Sequence, residues 1–522
     1  MSSGALSVRE SSSSPANNPV ILVGVLLVAV MFALTVTAYN VMGLVLLVGL
    51  MVFVLFVRAP ELGVYITTAL LLLQGSAGVL GVYNENSPFA VTTAQIAGVA
   101  AMGAWFVGWA LRHQQFRWSP TMTYLALFAL WALLGSILSP NAPDLLPHWA
   151  RMAFRLFFLV LTVNVLNTAP KLNRYLHVLL VCAILTSVVS VMQYLLPSMQ
   201  LRGMNWASAT AAGAYIDPES LQGEAAVRVS GQAGHSNWLA MTLILLLPIN
   251  AFWYQTTHRR WAKLLIVACA ILQVSALVLT FARTGFIIGV VVLGMLIASR
   301  LLKISPMRVF IFLLAGVIGF TLLPDAYKQR VLSPRQYVQS QSVQARLALQ
   351  GAAVRYAVDH PVFGMGTGGF GMRFVKEGSE TATQMRYVVE HQNWQAVFIG
   401  THNMFLQILA DTGVAGFVFY LGFYYLMFRN LTGARKHYQA TGDKTGYTIA
   451  TSLLISLTAF LLCALFLHAP HQAIWWMIAA AAMAVPMHKL DFHVIPIEDD
   501  EDEHDLLPAP IVEHPHAEPE VV

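Results

Sequence analysis

The chain has 522 residues, of which 57% are hydrophobic and only 11% charged, with a formal net charge of +5 and a mean hydropathy of +0.64. A soluble domain of this size cannot hide so much apolar surface, which excludes an ordinary globular enzyme and points to a polytopic all-α membrane protein. The three cysteines, Cys182, Cys269 and Cys463, lie inside apolar runs, where they act as small hydrophobes, so neither a disulfide framework nor a cysteine metal site is expected.

Residues 1–19 are rich in Ser, Asn and Pro and carry no basic n-region, so they read as a disordered N-terminus and the run from Val20 as a retained span. Apolar runs long enough to span follow at 20–38, 41–57, 62–81, 89–111, 121–138, 151–167, 174–195, 236–255, 261–281, 285–302, 306–323, 402–428, 447–467 and 473–488. About 12–14 of these are expected to cross a bilayer. The organisation is thus 20–323 as N-terminal spans, 324–401 as one large loop, 402–490 as C-terminal spans, and 491–522 as an acidic, His- and Pro-rich disordered tail.

With the N-terminus placed in the cytoplasm, the loops bearing Arg58, Arg112/Arg117, Lys171/Arg174, Arg259/Arg260/Lys263, Arg300/Lys303 and Arg435/Lys436/Lys444 all fall inside. Three intervening loops, around Asn84–Asn86, from Pro140 to His148 and at His468–His471, lack Lys and Arg, as the positive-inside rule requires. The exceptions are informative. Arg151 and Arg155 stand at the start of an outward-facing span end, and Arg202, Arg228, Arg283 and the basic 324–401 loop all fall outside. Long loops translocate whatever their charge, but the short segment bearing Arg283 is not explained that way. An anionic ligand on that face is the alternative.

Four segments carry candidate chemistry. Arg283, in Thr280-Phe281-Ala282-Arg283-Thr284-Gly285, is either an interfacial snorkelling side chain or a guanidinium clamp for phosphate. Residues 344–359 read as an amphipathic helix with Leu347, Gly351, Val354 and Val358 on one face, ended by Asp359-His360-Pro361. Arg346 and Arg355 are nine residues apart in it, and at about 100° per residue they point to opposite sides. The following Gly364-x-Gly366-x-x-Gly369 is not a dinucleotide fingerprint, because no strand precedes it, and leaves a turn or an anion nest open. Arg228 and His235 precede a span start at Ser236-Asn237, where they either line a site or merely flank a helix cap.

The fourth is Thr401-His402-Asn403, where a polar loop turns into a long apolar helix, making His402 a candidate general base at a membrane surface. His402-Asn403-x-Phe405-Leu406 with Gly413 and Gly416, Asp359-His360-Pro361-x-x-Gly364-x-Gly366 and Arg283-x-Gly285 together resemble the O-antigen ligase and polymerase superfamily. The resemblance covers roughly Arg228 to Arg429; the surplus of spans and the acidic tail depart from the usual ligase pattern.

It implies a bacterial inner-membrane glycosyltransferase that takes a glycan from undecaprenyl diphosphate on the periplasmic face without a metal or other cofactor; the loop charges, read separately, put both termini in the cytoplasm. It further implies His402 as the catalytic base and Arg283 and Arg346 as diphosphate ligands; Asn403, Arg228, His235 and Arg355 are candidate supporting residues from the sequence pattern itself. The acceptor left first in line is a lipid A-core hydroxyl. Repeat-unit polymerisation for O-antigen or exopolysaccharide and transfer to protein hydroxyls stay open, and neither involves nucleic acid. A transporter is the rival of another class; it would gather its polar residues near mid-membrane in paired halves, whereas here they gather in the outer loops.

Overall fold

The computed structural model describes residues 41–73, 93–112, 116–196, 229, 231, 236–302, 307, 321, 341–377, 400–467 and 473–492. The expected span at 20–38, nearly all of that at 306–323, Arg228, His235, half of the 324–401 loop, and both termini lie outside the described residues.

Within the described residues the fold is all-helical: α1 (Val41–Arg58), α2 (Pro60–Leu73), α3 (Thr93–Arg112), α4 (Pro120–Leu138), α5 (Ala142–Val165), α6 (Ala169–Leu195), α7 (Ser236–Thr256), α8 (Arg260–Leu279), α9 (Arg283–Ala298), α10 (Gln341–Asp359), α11 (Gly369–Lys376), α12 (Met404–Thr441), α13 (Lys444–Ala464) and α14 (Ala473–His488). Eight of them are long and apolar enough to cross a membrane, and α2, α9, α14 and part of α1 are shorter apolar helices. This is a polytopic α-helical membrane protein. All three cysteines are free thiols.

Helix α14 is the axle of the bundle. From Ile474 to Val485 every residue is buried, as expected of a helix that is apolar all round, and it packs on α5, α12 and α13. Trp475 stacks on Phe460 of α13 at 3.8 Å and on Tyr424 of α12 at 5.1 Å. Helix α7 is held to α8 by a polar clasp: the Asn250 amide donates to Gln273 Oε1, and Gln273 Nε2 donates to Leu243 O at 3.2 Å. Such amide pairs join helices in lipid because no water competes for them.

Short connections make neighbouring helices antiparallel, and so place four features at one end of the bundle: the α4–α5 corner, the end of α6, the start of α9 and the start of α12. Val229 N–H bonds Leu279 O at 3.3 Å, the Gln193 side chain accepts from Gly231 N–H at 3.0 Å, and the Tyr194 ring meets Phe281. Those contacts fix the α8–α9 corner on the end of α6.

Two expectations are corrected. The run expected as 151–167, with a loop before it, is a helix from Ala142 onward. Its prolines are tolerated because Pro143 lies in the first turn, where N–H groups have no acceptor, while Pro147 forgoes one bond. Arg151 and Arg155 therefore lie well inside α5. Helix α10 exists and ends at Asp359 as expected, but Leu347, Val354 and Val358 are exposed, at 56%, 50% and 73%. Its packed face is Leu349, Ala352, Ala353 and Tyr356, set against Phe370, Phe374 and Ala410. Small alanines let α10 approach α12 closely, which a hydropathy pattern does not reveal.

Candidate functional site

His402 is one of four described non-glycine residues, with Phe281, Arg300 and Lys489, whose φ is positive. Its φ is 53°, a left-handed conformation that costs a non-glycine residue about 1–2 kcal/mol. The neighbours that impose it form a continuous polar chain. Thr401, fully buried, donates its hydroxyl to Asn403 O at 2.5 Å and accepts the Asn403 N–H at 3.1 Å. Asn403 caps α12, its Oδ1 accepting from Phe405 and Leu406 N–H at 3.0 and 3.1 Å. Such a cap stabilises by about 1 kcal/mol. The His402 ring is half-buried, with Nδ1 turned away from solvent.

One turn deeper, Gln407 and Asp411 extend the chain. Gln407 Oε1 accepts Thr401 N–H at 2.9 Å, and its Nε2 donates to Asp411 Oδ2, also at 2.9 Å. Asp411 then accepts Gly368 N–H at 3.2 Å and Phe370 N–H at 3.1 Å. A buried carboxylate on α12 thus caps α11 from another element, and Gln407 passes that constraint on to the residue before His402. Neither residue had a role in the sequence reading. The signal for Asp411 was present: an acid four residues after a glutamine inside an otherwise apolar helix.

The glycine segment is a turn shaped by packing. Gly364, Gly366 and Gly368 have φ of 66°, 85° and 81°. A Cβ on Gly364 would lie 2.6 Å from Ala410 O, and one on Gly366 2.6 Å from Leu145 Cδ1. Thr367 N–H donates to Ser136 Oγ of α4 at 3.1 Å. Opposite it, α12 is broken at Gly413 (φ 66°, ψ −172°), and Val414 N–H bonds Pro361 O at 2.8 Å. The Trp131 indole N–H bridges Val362 O at 3.2 Å and Thr412 O at 3.1 Å. The segment Met404–Thr412 is therefore a short separate helix clamped between the loop and α4.

On the outer side of α10 and α11 lies a second polar cluster. Arg373 reaches Glu377 Oε1 at 3.0 Å, Asp359 Oδ2 at 3.5 Å and His360 Nε2 at 2.7 Å, and lies over the Tyr356 ring at 4.7 Å. Tyr356 donates to Glu377 Oε2 at 2.5 Å. Burial, with the Glu377 hydrogen bond and charge adding to it, pushes the Tyr356 hydroxyl up to about 12. Burial alone would raise the Glu377 carboxyl, but hydrogen bonds from Tyr356 and Arg373, with the charges of Arg355 and Arg373, hold it below the usual range. The Asp359-His360 pair thus serves as an anchor for α11.

The other sequence candidates are distributed as follows. Arg283 opens α9 at the same end of the bundle as His402, its Nε shielded from solvent. Helix α9 packs on α7 and α13, whereas α12 packs on α4, α10, α13 and α14, so α13 is the element shared by both. Arg346 is half-buried on α10 and has no ion pair among the described residues. Arg355 is exposed and committed to Glu377 at 2.9 Å. Among the described residues no three His, Cys, Asp or Glu side chains converge. A cavity of about 490 Å³ lined by Ser119, Asn430, His437 and Lys489 lies at the opposite end of α12, remote from His402.

A polytopic helical bundle with a loop-clamped histidine at one end defines the class. Residues 267–421 match the family model described as O-Antigen ligase, a stretch that includes Arg283, Arg346 and His402 and ends within α12. The match supports the O-antigen ligase and polymerase superfamily. No match was found among curated proteins.

Proposed function

We propose that this chain is a glycosyltransferase of the bacterial inner membrane that moves a glycan from undecaprenyl diphosphate to an acceptor hydroxyl on the periplasmic face, in the manner of an O-antigen ligase. The observation that carries this reading is the strained, multiply braced His402, inside the region matched by the ligase family and at the same bundle end as Arg283. Strain of this kind persists where surrounding structure over-determines it, and it gathers at functional sites.

In the proposed reaction His402 accepts the proton of the acceptor hydroxyl, whose oxygen attacks the anomeric carbon. The bond from that carbon to the diphosphate oxygen breaks, and undecaprenyl diphosphate leaves with the electron pair. Arg283 and Arg346 stabilise the growing charge on the diphosphate, an effect strengthened where water is excluded. Asn403 holds the base through the helix cap. Both chain termini are taken as cytoplasmic, which sets this end of the bundle on the periplasmic side, and no metal enters the scheme.

The test is product analysis with purified protein and undecaprenyl-diphosphate-linked glycan. Supplied with lipid A-core, the protein should yield glycan on that acceptor. A longer lipid-linked glycan formed from donor alone would identify a repeat-unit polymerase, and label on protein a protein O-oligosaccharyltransferase. An absence of any transfer, with intact donor recovered, would reject the enzyme reading.

A further inference from the structure

Helix α5 carries His148, Arg151 and Arg155 at i, i+3 and i+7, which places them on one helical face. At 1.5 Å per residue the two guanidinium-bearing positions are about 6 Å apart along the axis and roughly 14 and 20 Å from the start of the helix. Phe154, Phe157 and Phe158 flank Arg155, and its stem lines a small crevice with Leu71 of α2 and Trp476 of α14. Arg151 is exposed and Arg155 partly so, which makes both reachable from the side of the bundle.

Among the described residues no carboxylate offsets these charges. Arg151 Nε makes one long hydrogen bond to Pro147 O, at 3.4 Å. Among the described residues neither arginine has a carboxylate within ion-pair distance, and Arg155 has no hydrogen-bond partner. Asp144, the acid of α5, is seven residues before Arg151 and makes no ion pair there. Ionisable groups within spans normally pair with each other or mark a ligand path.

The ladder is continuous with the candidate site. A Cβ on Gly368 would lie 3.1 Å from His148 Cγ, and Gly368 N–H is held by Asp411 beneath His402. Lys376 Nζ of α11 bonds Asn141 Oδ1 at the start of α5, at 3.1 Å. A file of basic groups therefore leads from the loop into the apolar layer.

We infer that Arg151 and Arg155 form a binding site for the phosphate groups of a membrane lipid, entered sideways from the bilayer, with the hydrocarbon lying along the aromatic flank of α5. Two planar guanidinium forks about one helical turn apart suit a diphosphate, which offers several acceptor oxygens over a similar length. The inference rests on the proposed function only in its choice of probe.

The experiment uses the full chain in nanodiscs of phosphatidylcholine, with undecaprenyl diphosphate as the probe and binding followed by native mass spectrometry. Arg151→Gln/Arg155→Gln should weaken binding at least about tenfold, while Arg151→Lys/Arg155→Lys keeps most of it and His402→Ala binds as wild type. In the unaltered protein the lipid should slow modification of Arg151 by phenylglyoxal, a readout independent of any variant. Phosphatidylglycerol that competes at equal mole fraction would identify an ordinary anionic headgroup as the lipid; failure to compete would identify the diphosphate.

Three results would overturn the site: wild-type affinity in a monodisperse double-glutamine variant, no protection of Arg151, or inorganic pyrophosphate binding as tightly as the lipid. Unchanged binding beside intact transfer would remove the ladder and leave the enzyme reading standing. Ladder-dependent binding without any transfer would do the opposite.

Discussion

Replacing Asp411 by alanine should release the brace beneath His402. The carboxylate accepts three hydrogen bonds, from Gly368 N–H, Phe370 N–H and Gln407 Nε2, and is only 5% exposed. Each donor stranded in a site closed to water costs about 1–3 kcal/mol. Neighbouring groups relax together, so the costs do not simply add, and the substitution should destabilise the loop by about 3–5 kcal/mol. Local opening scales tenfold for each 1.4 kcal/mol, so amides at the start of α11 should exchange with solvent about a hundredfold faster or more. Hydrogen exchange followed by mass spectrometry on peptides covering residues 366–376 and 401–407 measures this directly. The second peptide should respond too, because Gln407 loses the partner that orients it toward Thr401. Asp411→Asn should fall between, since it keeps one acceptor oxygen but turns an amide toward donors. Exchange within about twofold of wild type in both peptides would refute the brace.

Gly413→Ala should abolish monodisperse protein on size-exclusion chromatography, since a Cβ there lies 2.3 Å from Val362 O at φ 66°. That combination costs more than about 3 kcal/mol, and a normal yield with an unchanged thermal midpoint would reject the break in α12. Arg373→Ala, which loses Glu377, Asp359, His360 and the Tyr356 face together, should loosen α11 by about 1–2 kcal/mol, whereas exposed Arg355→Ala should cost about 0.5 kcal/mol or less; exchange rates in the reverse order would contradict this ranking. The depressed Glu377 carboxyl makes α10–α11 docking acid-sensitive. In the unfolded loop this carboxyl takes up its proton near the ordinary value of about 4.3, before the folded form does. Its contribution is therefore full above that pH and lost as pH falls through the depressed folded value. Protection of residues 369–377, taken relative to the intrinsic exchange rate at each pH, should fall below about pH 4, and Glu377→Gln should flatten the profile; an identical profile in the variant would sink the assignment.

Much of the bundle was legible because hydropathy along a span does not depend on its neighbours: α4, α7 and α13 fall within a few residues of the runs read from sequence. The stop at Asp359 was legible for the same reason, being local chemistry. What escaped was set by tertiary contact. The start of α5 was hidden by two prolines whose cost depends on their place in the first turns. The packed face of α10 was hidden by alanines, whose value is close approach, not hydropathy. The break at Gly413 lies inside a stretch read as one span and exists because Pro361 and Val362 press against it. Gln407 and Asp411 acquire their role only once the glycine turn folds back on α12.

The central claim is that His402 takes the acceptor proton, and single-turnover transfer by His402→Ala tests it most directly. Purified variant, donor and acceptor should give donor binding within about threefold of wild type, with transfer slowed by about a hundredfold or more, the range expected on removing a positioned base. Transfer at the wild-type rate, with the variant folded and donor bound, would contradict the account.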